Sequence, residues 1–388
     1  MPKLAIITSH PIQYNDPWFK LLAEKIAVKV FYTWEQSKAG SKFDPGFKRI
    51  ITWDIPLLEG YEYTFVKNVS KDPGTHHFKG IINPTLIQEV KEWNPDSLLV
   101  IGWSFHSHIR CLRYFHKKIP IFFRGDSHLL NDKAGIKKLI RKIFLTWVYK
   151  HVDYALYVGA NNKDYYLANG LTPEQLVFAP HAIDNDRFNR SEENTAKANE
   201  WRKQMGINEN DFVVLYAGKL ETSKNPGFMI ELGNKIPDKN VKFLIVGNGE
   251  EESAIKEKVK GDGRYIFLDF QNQLQMPIVY RMGNVFIFPA FGPETWGLAV
   301  NEAMACGLPV IVTHRIGCAV DLVEDGKNGI IITPSDIDRS SEFILKLNHD
   351  KNYANVVGEK SWKMIQEYSF KKIVASIVDQ LNKIADKN

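Results

Sequence analysis

Two lysines five residues apart, Lys219 and Lys224, follow Gly218 at the end of the β-rich apolar run Phe212 to Ala217. Such a pattern can bring two cations to one phosphate-sized anion, with backbone N–H groups of the next helix as further donors. Ordinary surface lysines in a loop are the plain alternative. The run Val241 to Val246 ends in Gly247-Asn248-Gly249, where absent side chains let a backbone approach a ligand closely or simply turn. Phe288 to Pro309 is more specific: a strand, a Gly/Pro loop, a helix beginning near Thr295 or Trp296, and a stop at Gly307 and Pro309. Glu294 and Glu302 are eight positions apart, on the order of 12 Å along a helix axis, about the span from the sugar of a nucleotide sugar to its ribose. A helix N-terminus between them would turn orphan N–H groups and a positive dipole end toward a diphosphate. Glu302 stands beside Ala303, Met304 and Ala305, where a buried carboxylate wants hydroxyl or N–H partners. The competing readings are a solvated helix residue for Glu302 and a first-turn acid facing the dipole for Glu294.

The first half offers polar groups at two strand ends. His10, Gln13 and Asp16 follow the run Leu4 to Ser9, and Asp126 and His128 follow Ile119 to Phe123. Contact with a substrate and a role in loop structure both fit these types. Between Lys133 and His151 stand six Lys and Arg and no acid, with Ile136, Leu139, Ile140, Ile143, Phe144, Trp147 and Val148 on one helical stripe. Such a helix either packs that stripe on a sheet or meets an anionic membrane surface reversibly through its basic face.

The elements that must position these groups alternate. Apolar runs at Leu4 to Ser9, Val28 to Trp34, Ser97 to Gly102, Ile119 to Phe123, Tyr154 to Val158 and Leu176 to Ala179 are separated by stretches with helical spacing. A second series runs Phe212 to Ala217, Val241 to Val246, Tyr265 to Leu268, Val285 to Pro289, Pro309 to Thr313 and Gly329 to Thr333. That is the pattern of α/β units around parallel sheets, twice over. It predicts two doubly wound, Rossmann-like domains over 1–188 and 211–365, a polar linker at 189–210, and a C-terminal helix at 366–388 crossing back to the first domain. Residues 35 to 80 read as a long aromatic-containing insertion.

The composition is that of a globular chain: 388 residues, 44% hydrophobic, 24% charged, net charge +5. Cys111, Cys306 and Cys318 are widely spaced and form neither a disulfide framework nor a zinc motif. No metal and no bound cofactor are expected. The charge is too mild to indicate nucleic acid. Met1-Pro2-Lys3 leads into an apolar stretch too short for a signal peptide, and no run approaches a membrane span, so a cytoplasmic location is expected.

The second half resembles the retaining glycosyltransferases of family 4. The resemblance rests on Gly218-Lys219-Leu220 through Lys224, Val246-Gly247-Asn248-Gly249, the Glu294 to Glu302 motif, Glu302 through Val310, and Gly317 through Gly329, in the family's order over residues 212 to 333. It implies the GT-B fold, two Rossmann-like domains facing across a cleft, with a nucleotide diphosphate sugar as donor, UDP being the commonest. Lys219 and Lys224 would hold the diphosphate and Glu302 the ribose, while Glu294 would contact the transferred sugar. Backbone N–H groups around Trp296, Gly297 and Leu298 would cap sugar and phosphate, and Gly218, Gly247 and Gly249 would line the donor. Lys219 stands where the family usually has Arg, and His181-Ala182 where it has Asn-Gly. Either Asp126 or His128 would take the place of a family histidine close to the sugar, Asp126 being preferred; His10, Gln13, Asp16 and His128 would face the acceptor. The implied reaction is metal-independent, retaining transfer to a saccharide or lipid-linked saccharide in surface polysaccharide assembly. A nucleotide-sugar epimerase of the same architecture and a non-catalytic nucleotide-sugar binder are the rivals.

Overall fold

The computed structural model describes residues 1–35, 41–44, 49–130, 135–292 and 294–386. They form two compact units, one comprising Met1–Lys42, Ile55–His181 and Phe370–Asn388, the other Phe43–Asp54 and Ala182–Ser369.

The chain begins β1 (Lys3–Thr8), α1 (Asp16–Ala23) and β2 (Ala27–Tyr32), followed by the short paired strands β3 (Ser41–Asp44) and β4 (Arg49–Thr52). The first unit continues with β5 (Glu62–Phe65), α2 (Leu86–Trp93), β6 (Ser97–Ile101), α3 (His106–Phe115), β7 (Ile121–Arg124), α4 (Ile136–Tyr149), β8 (Tyr154–Tyr157), α5 (Ala160–Ala168) and β9 (Leu176–Phe178). Among the described residues its sheet runs β5-β2-β1-β6-β7-β8-β9, every pair parallel. Leu4, Ala5, Ile6 and Ile7 are all fully buried. A strand covered by helices on both faces has no polar side, hence the unbroken apolar run rather than an alternating one. The C-terminal helix Phe370–Ala385 packs against α1 and β9 in this unit.

The second unit continues with α6 (Glu192–Gln204), β10 (Phe212–Ala217), α7 (Phe228–Lys235), β11 (Val241–Val246), α8 (Glu252–Lys258), β12 (Tyr265–Leu268), α9 (Met276–Met282) and β13 (Val285–Phe288). Then come α10 (Leu298–Ala305), β14 (Val310–Thr313), α11 (Ala319–Leu322), β15 (Gly329–Ile332), α12 (Ile337–His349) and α13 (Lys351–Ile365). Its parallel sheet runs β12-β11-β10-β13-β14-β15.

Each apolar run becomes a strand, but three sequence expectations change. Residues 189–210 are no open linker: Ser191 caps α6, accepting a hydrogen bond from the Asn194 N–H, and the helix packs on α9. The 35–80 insertion carries β3, β4 and β5 and is divided, 43–54 falling with the second unit. There the Asn272 side chain donates to the Thr52 carbonyl (2.6 Å). Finally, α10 begins at Leu298 because Gly297 before it is left-handed (φ 99°). A Cβ on Gly297 would lie 2.7 Å from Ile316 Cγ2.

Candidate functional site

Strand order reverses between β10 and β13, and in such sheets ligands gather beyond the carboxyl ends of the strands at that switch point. The loops after β10 and β13 are the ones bearing Lys219, Lys224 and Glu294. The structure brings the last two into direct contact: Lys224 Nζ donates to Glu294 Oε1, with side-chain exposures of 18% and 24%. Burial lowers the Lys224 pKa, Glu221 opposes the shift, and the neighbouring Lys219 charge adds to it. Two cations and a carboxylate thus share one half-buried place.

Backbone pairing holds these loops. Beyond the strands, the Gly218 N–H donates to Val246 O (3.0 Å) and the Leu220 N–H to Asn248 O (3.0 Å). A Cβ on Gly247 (φ 129°) would overlap the Gly218 carbonyl oxygen, and one on Gly249 the Leu220 carbonyl oxygen. Both glycines therefore serve loop-against-loop contact, a structural use of the Gly-x-Gly that the sequence left open. Phe291 and Gly292 both donate N–H bonds to Ser223 O (3.0 Å each), fastening the post-β13 loop to the lysine loop. Glu294 forms a short parallel bridge to Ile316, and its carbonyl accepts the Gly317 N–H (3.0 Å).

Glu294 therefore precedes α10 instead of lying on it, so helical rise does not measure its separation from Glu302. Glu302 is 4% exposed and accepts a hydrogen bond from the Tyr280 hydroxyl (2.8 Å). That burial excludes the solvated-face reading and identifies a partner the sequence did not. Trp296 is buried, its indole N–H donating to Asn301 Oδ1 (2.8 Å).

In the first unit Arg124, at the end of β7, is buried with its guanidinium donating to Ala179 O (2.7 Å) and Pro180 O (2.9 Å). Burial lowers its pKa to about 10. Those two bonds tie down the segment carrying His181, whose Nε2 lies 3.8 Å from Asp126 Oδ2. Burial holds the His181 pKa low, opposed by Asp126 and reinforced by Arg124. Asp126 also lines a cavity of about 110 Å³ with Trp103, Tyr149, Tyr165 and Tyr166. His128, by contrast, is buried and accepts the Leu130 N–H at Nδ1 (3.2 Å). Of the two alternatives, Asp126 has the open position. Neither Arg124 nor His181 was assigned a contact from sequence, and a basic residue ending a strand was the only signal.

Asp16 is corrected more strongly. It is 1% exposed and accepts the Tyr32 hydroxyl (2.8 Å), which also meets the Tyr61 hydroxyl (2.7 Å). Burial raises its pKa well above the carboxylate range. A group so enclosed organises α1 on the sheet and does not face an acceptor. His10 is half-buried between Ser9 Oγ (2.9 Å) and the edge of the Trp34 ring, and Gln13 is half-buried in the same loop.

Asp72, His76 and His77 bring three potential metal-ligand atoms within 4.8 Å. Asp72 Oδ2 lies 3.1 Å from His76 Nε2, a hydrogen bond that uses the atoms a metal would need. Among the described residues no helix is long and apolar enough to cross a membrane.

Residues 197–364 match the family model described as glycosyl transferases group 1. Most of the second unit is thus similar to the glycosyl transferases group 1 family. The group 1 region covers the lysine loop, the Gly-x-Gly and both glutamates. Curated relatives include the capsular polysaccharide biosynthesis glycosyltransferase CapM of Staphylococcus aureus, 31% identical over 43% of this chain and 44% of that protein. The sulfoquinovosyl transferase SQD2 of Arabidopsis thaliana is 21% identical over 76% of this chain and 58% of that protein. The chain spans about half the length of the curated relatives it matches. Among solved structures, Anabaena HepE in complex with UDP superposes with a TM-score of 0.74 at 17% identity, covering 99% of this chain and 100% of that one. WaaG, a glycosyltransferase involved in lipopolysaccharide biosynthesis, gives 0.64 at 16% identity over 96% and 98%. Together they show that the fold of this chain is GT-B.

Proposed function

We propose that the chain is a retaining glycosyltransferase that moves a hexosyl or N-acetylhexosaminyl group from a nucleotide diphosphate sugar, UDP-linked by preference, to a saccharide or lipid-linked saccharide in surface polysaccharide assembly. Its place is the cytoplasm or the inner face of the cytoplasmic membrane. The carrying observation is the convergence of Lys224, Lys219 and Glu294 at the β10/β13 switch point.

In the reaction the bond between the anomeric carbon and the diphosphate oxygen breaks, and its electron pair leaves with the phosphate. The acceptor hydroxyl bonds to the anomeric carbon from the same face, and its proton passes to the departing oxygen. Positive charge develops on the sugar and negative charge on the diphosphate, so Lys219, Lys224 and the N-terminus of α10 stabilise the leaving group. Lys224 and Glu294 neutralise each other when unliganded. A diphosphate competing for Lys224 releases the Glu294 carboxylate toward hydroxyls of the transferred sugar. Glu302, steadied by Tyr280, accepts from the ribose, and Asp126, with His181 beside it, is the carboxylate the first unit offers to the reaction. Lys219, Lys224 and α10 supply the positive field without a metal ion.

The test is a panel of UDP-, GDP- and dTDP-sugars, read first as thermal shifts and then as product mass with candidate acceptors. Expected is a shift with one nucleotide series and an acceptor-dependent product. Donor epimerisation without acceptor would overturn transfer, and Glu302→Ala binding the nucleotide as tightly as Ser340→Ala would overturn the ribose assignment.

A further inference from the structure

The sequence left open whether the apolar stripe of α4 packs on its sheet. Apart from Val148 it does not: Ile136, Leu139, Ile140 and Ile143 are 78%, 59%, 61% and 64% exposed, and Phe144 and Trp147 are each 38% exposed. The helix is held instead by Leu145, Val148 and Tyr149, all buried. At ~100° per residue the exposed apolar side chains fall within a ~140° arc and the buried ones on the opposite side. Six large apolar side chains facing water on one helix are far from the scattered exposure usual on a protein surface.

Charge narrows what covers this face. Residues 101–150 hold eleven Lys and Arg against two acids, Asp126 and Asp132, so the rest of the chain, with 39 against 43, is net negative. Lys137 and Lys142 flank the apolar arc in angle and are exposed, and the Arg113 guanidinium lies 5.8 Å from the Trp147 ring centre. A second copy would set these cations against their own kind, and a nucleic acid backbone would leave the isoleucines uncovered. An anionic lipid surface satisfies both features, since lysines beside an apolar face can reach headgroups while the apolar side chains enter the acyl boundary.

We propose that α4 is an in-plane anchor for an anionic bilayer. Phe144 packs edge-on against Trp103 (5.5 Å between ring centres), and Trp103 and Asp126 line the same small cavity. The anchored face therefore adjoins Asp126, where a lipid-linked acceptor would present its hydroxyl. That last step rests on the transfer reading above; the anchoring does not.

The test uses the full chain in co-sedimentation with vesicles of phosphatidylcholine, alone or mixed with phosphatidylglycerol. Binding to the mixed vesicles is expected, weakened by salt. Ile140→Asp combined with Ile143→Asp should weaken it at least tenfold, and Lys137→Glu combined with Lys142→Glu roughly 30-fold or more. These exposed substitutions should leave the thermal melt and the nucleotide-induced shift unchanged, which separates failure of anchoring from failure of the donor site. No binding to anionic vesicles, or equal binding by the isoleucine double variant, overturns the proposal. So does self-association in sedimentation velocity that this variant abolishes.

Discussion

The ends of the two sheets are built differently. Beyond β10, β11, β13 and β14, loops lie on one another through backbone hydrogen bonds and through glycines whose missing Cβ atoms leave room for carbonyls. Beyond β7 the support comes from side chains: buried Arg124 ties down the segment bearing His181, and the Tyr166 hydroxyl holds Gly125 O (3.1 Å). The first construction fixes a site rigidly and writes itself into short motifs, because only glycine fits where two backbones meet. The second can be reached with many residue combinations, so it leaves little trace in local spacing.

The sharpest way to break this contrast is to empty each end in turn. Lys224→Ala should lower transfer by about 10²–10³-fold and abolish the nucleotide-induced thermal shift. Asp126→Asn should lower transfer while keeping that shift. If Asp126→Asn loses nucleotide binding and Lys224→Ala keeps it, the assignment of donor chemistry to the second unit is reversed.

Gly247→Ala probes the backbone construction. A methyl group meeting the Gly218 carbonyl at φ 129° should cost about 3 kcal/mol in denaturant unfolding. Gly261→Ala, also at positive φ but with nothing near its Cβ, should cost less. Equal costs would mean that loop contact contributes nothing beyond backbone conformation.

The same contrast explains what was legible. Most of the twelve strands were readable because parallel strands covered on both faces are continuous apolar runs, though β9 and β12 are only half-buried. Lys219, Lys224 and Glu294 drew attention because they lie in the loops that follow such runs. The start of α10 was misplaced because one left-handed glycine, Gly297, decides it. Asp16 looked accessible at a strand end and is buried, held by the Tyr32 hydroxyl, which also meets Tyr61 from a distant loop. The α4 stripe could not be assigned an inside or an outside, since periodicity reveals that a face is apolar but not what meets it.

Stability against pH should single out the first unit. His108 is fully buried, its Nδ1–H donating to Gly102 O (2.8 Å), and Nε2 faces Thr33 Oγ1 (3.0 Å). Burial lowers its pKa from 6.5 to about 4, against the pull of the Gly102 and Ile101 carbonyls. The unfolded chain therefore binds the proton first. The histidine's contribution is complete above about pH 6.5 and is lost as pH falls toward about 4. Between about pH 7 and about pH 5 the loss should be about 2 kcal/mol, read by denaturant titration and absent in His108→Gln.

Arg124→Lys should act more weakly. Lysine keeps the charge but not the planar fork that reaches both Ala179 O and Pro180 O, so the His181 segment loosens and transfer falls about tenfold. A structural role alone would lower the melt and leave kinetics proportional to folded protein. Positioning would instead raise KM for the acceptor and shift the pH profile, with the nucleotide response intact.

The smallest effect belongs to Asp16. Its raised pKa means that its stabilising contribution is complete below about pH 4 and is lost as pH rises through the folded value. Above that value the fold carries a buried carboxylate whose charge burial opposes. Asp16→Asn keeps an acceptor for the Tyr32 hydroxyl and removes the charge, so stability at about pH 8 should be unchanged or higher by up to ~1 kcal/mol, with transfer intact. An acceptor ligand would behave oppositely, losing transfer without gaining stability. That outcome would mean that α1 opens during the reaction and that the first unit's end is less settled than its side-chain ties suggest.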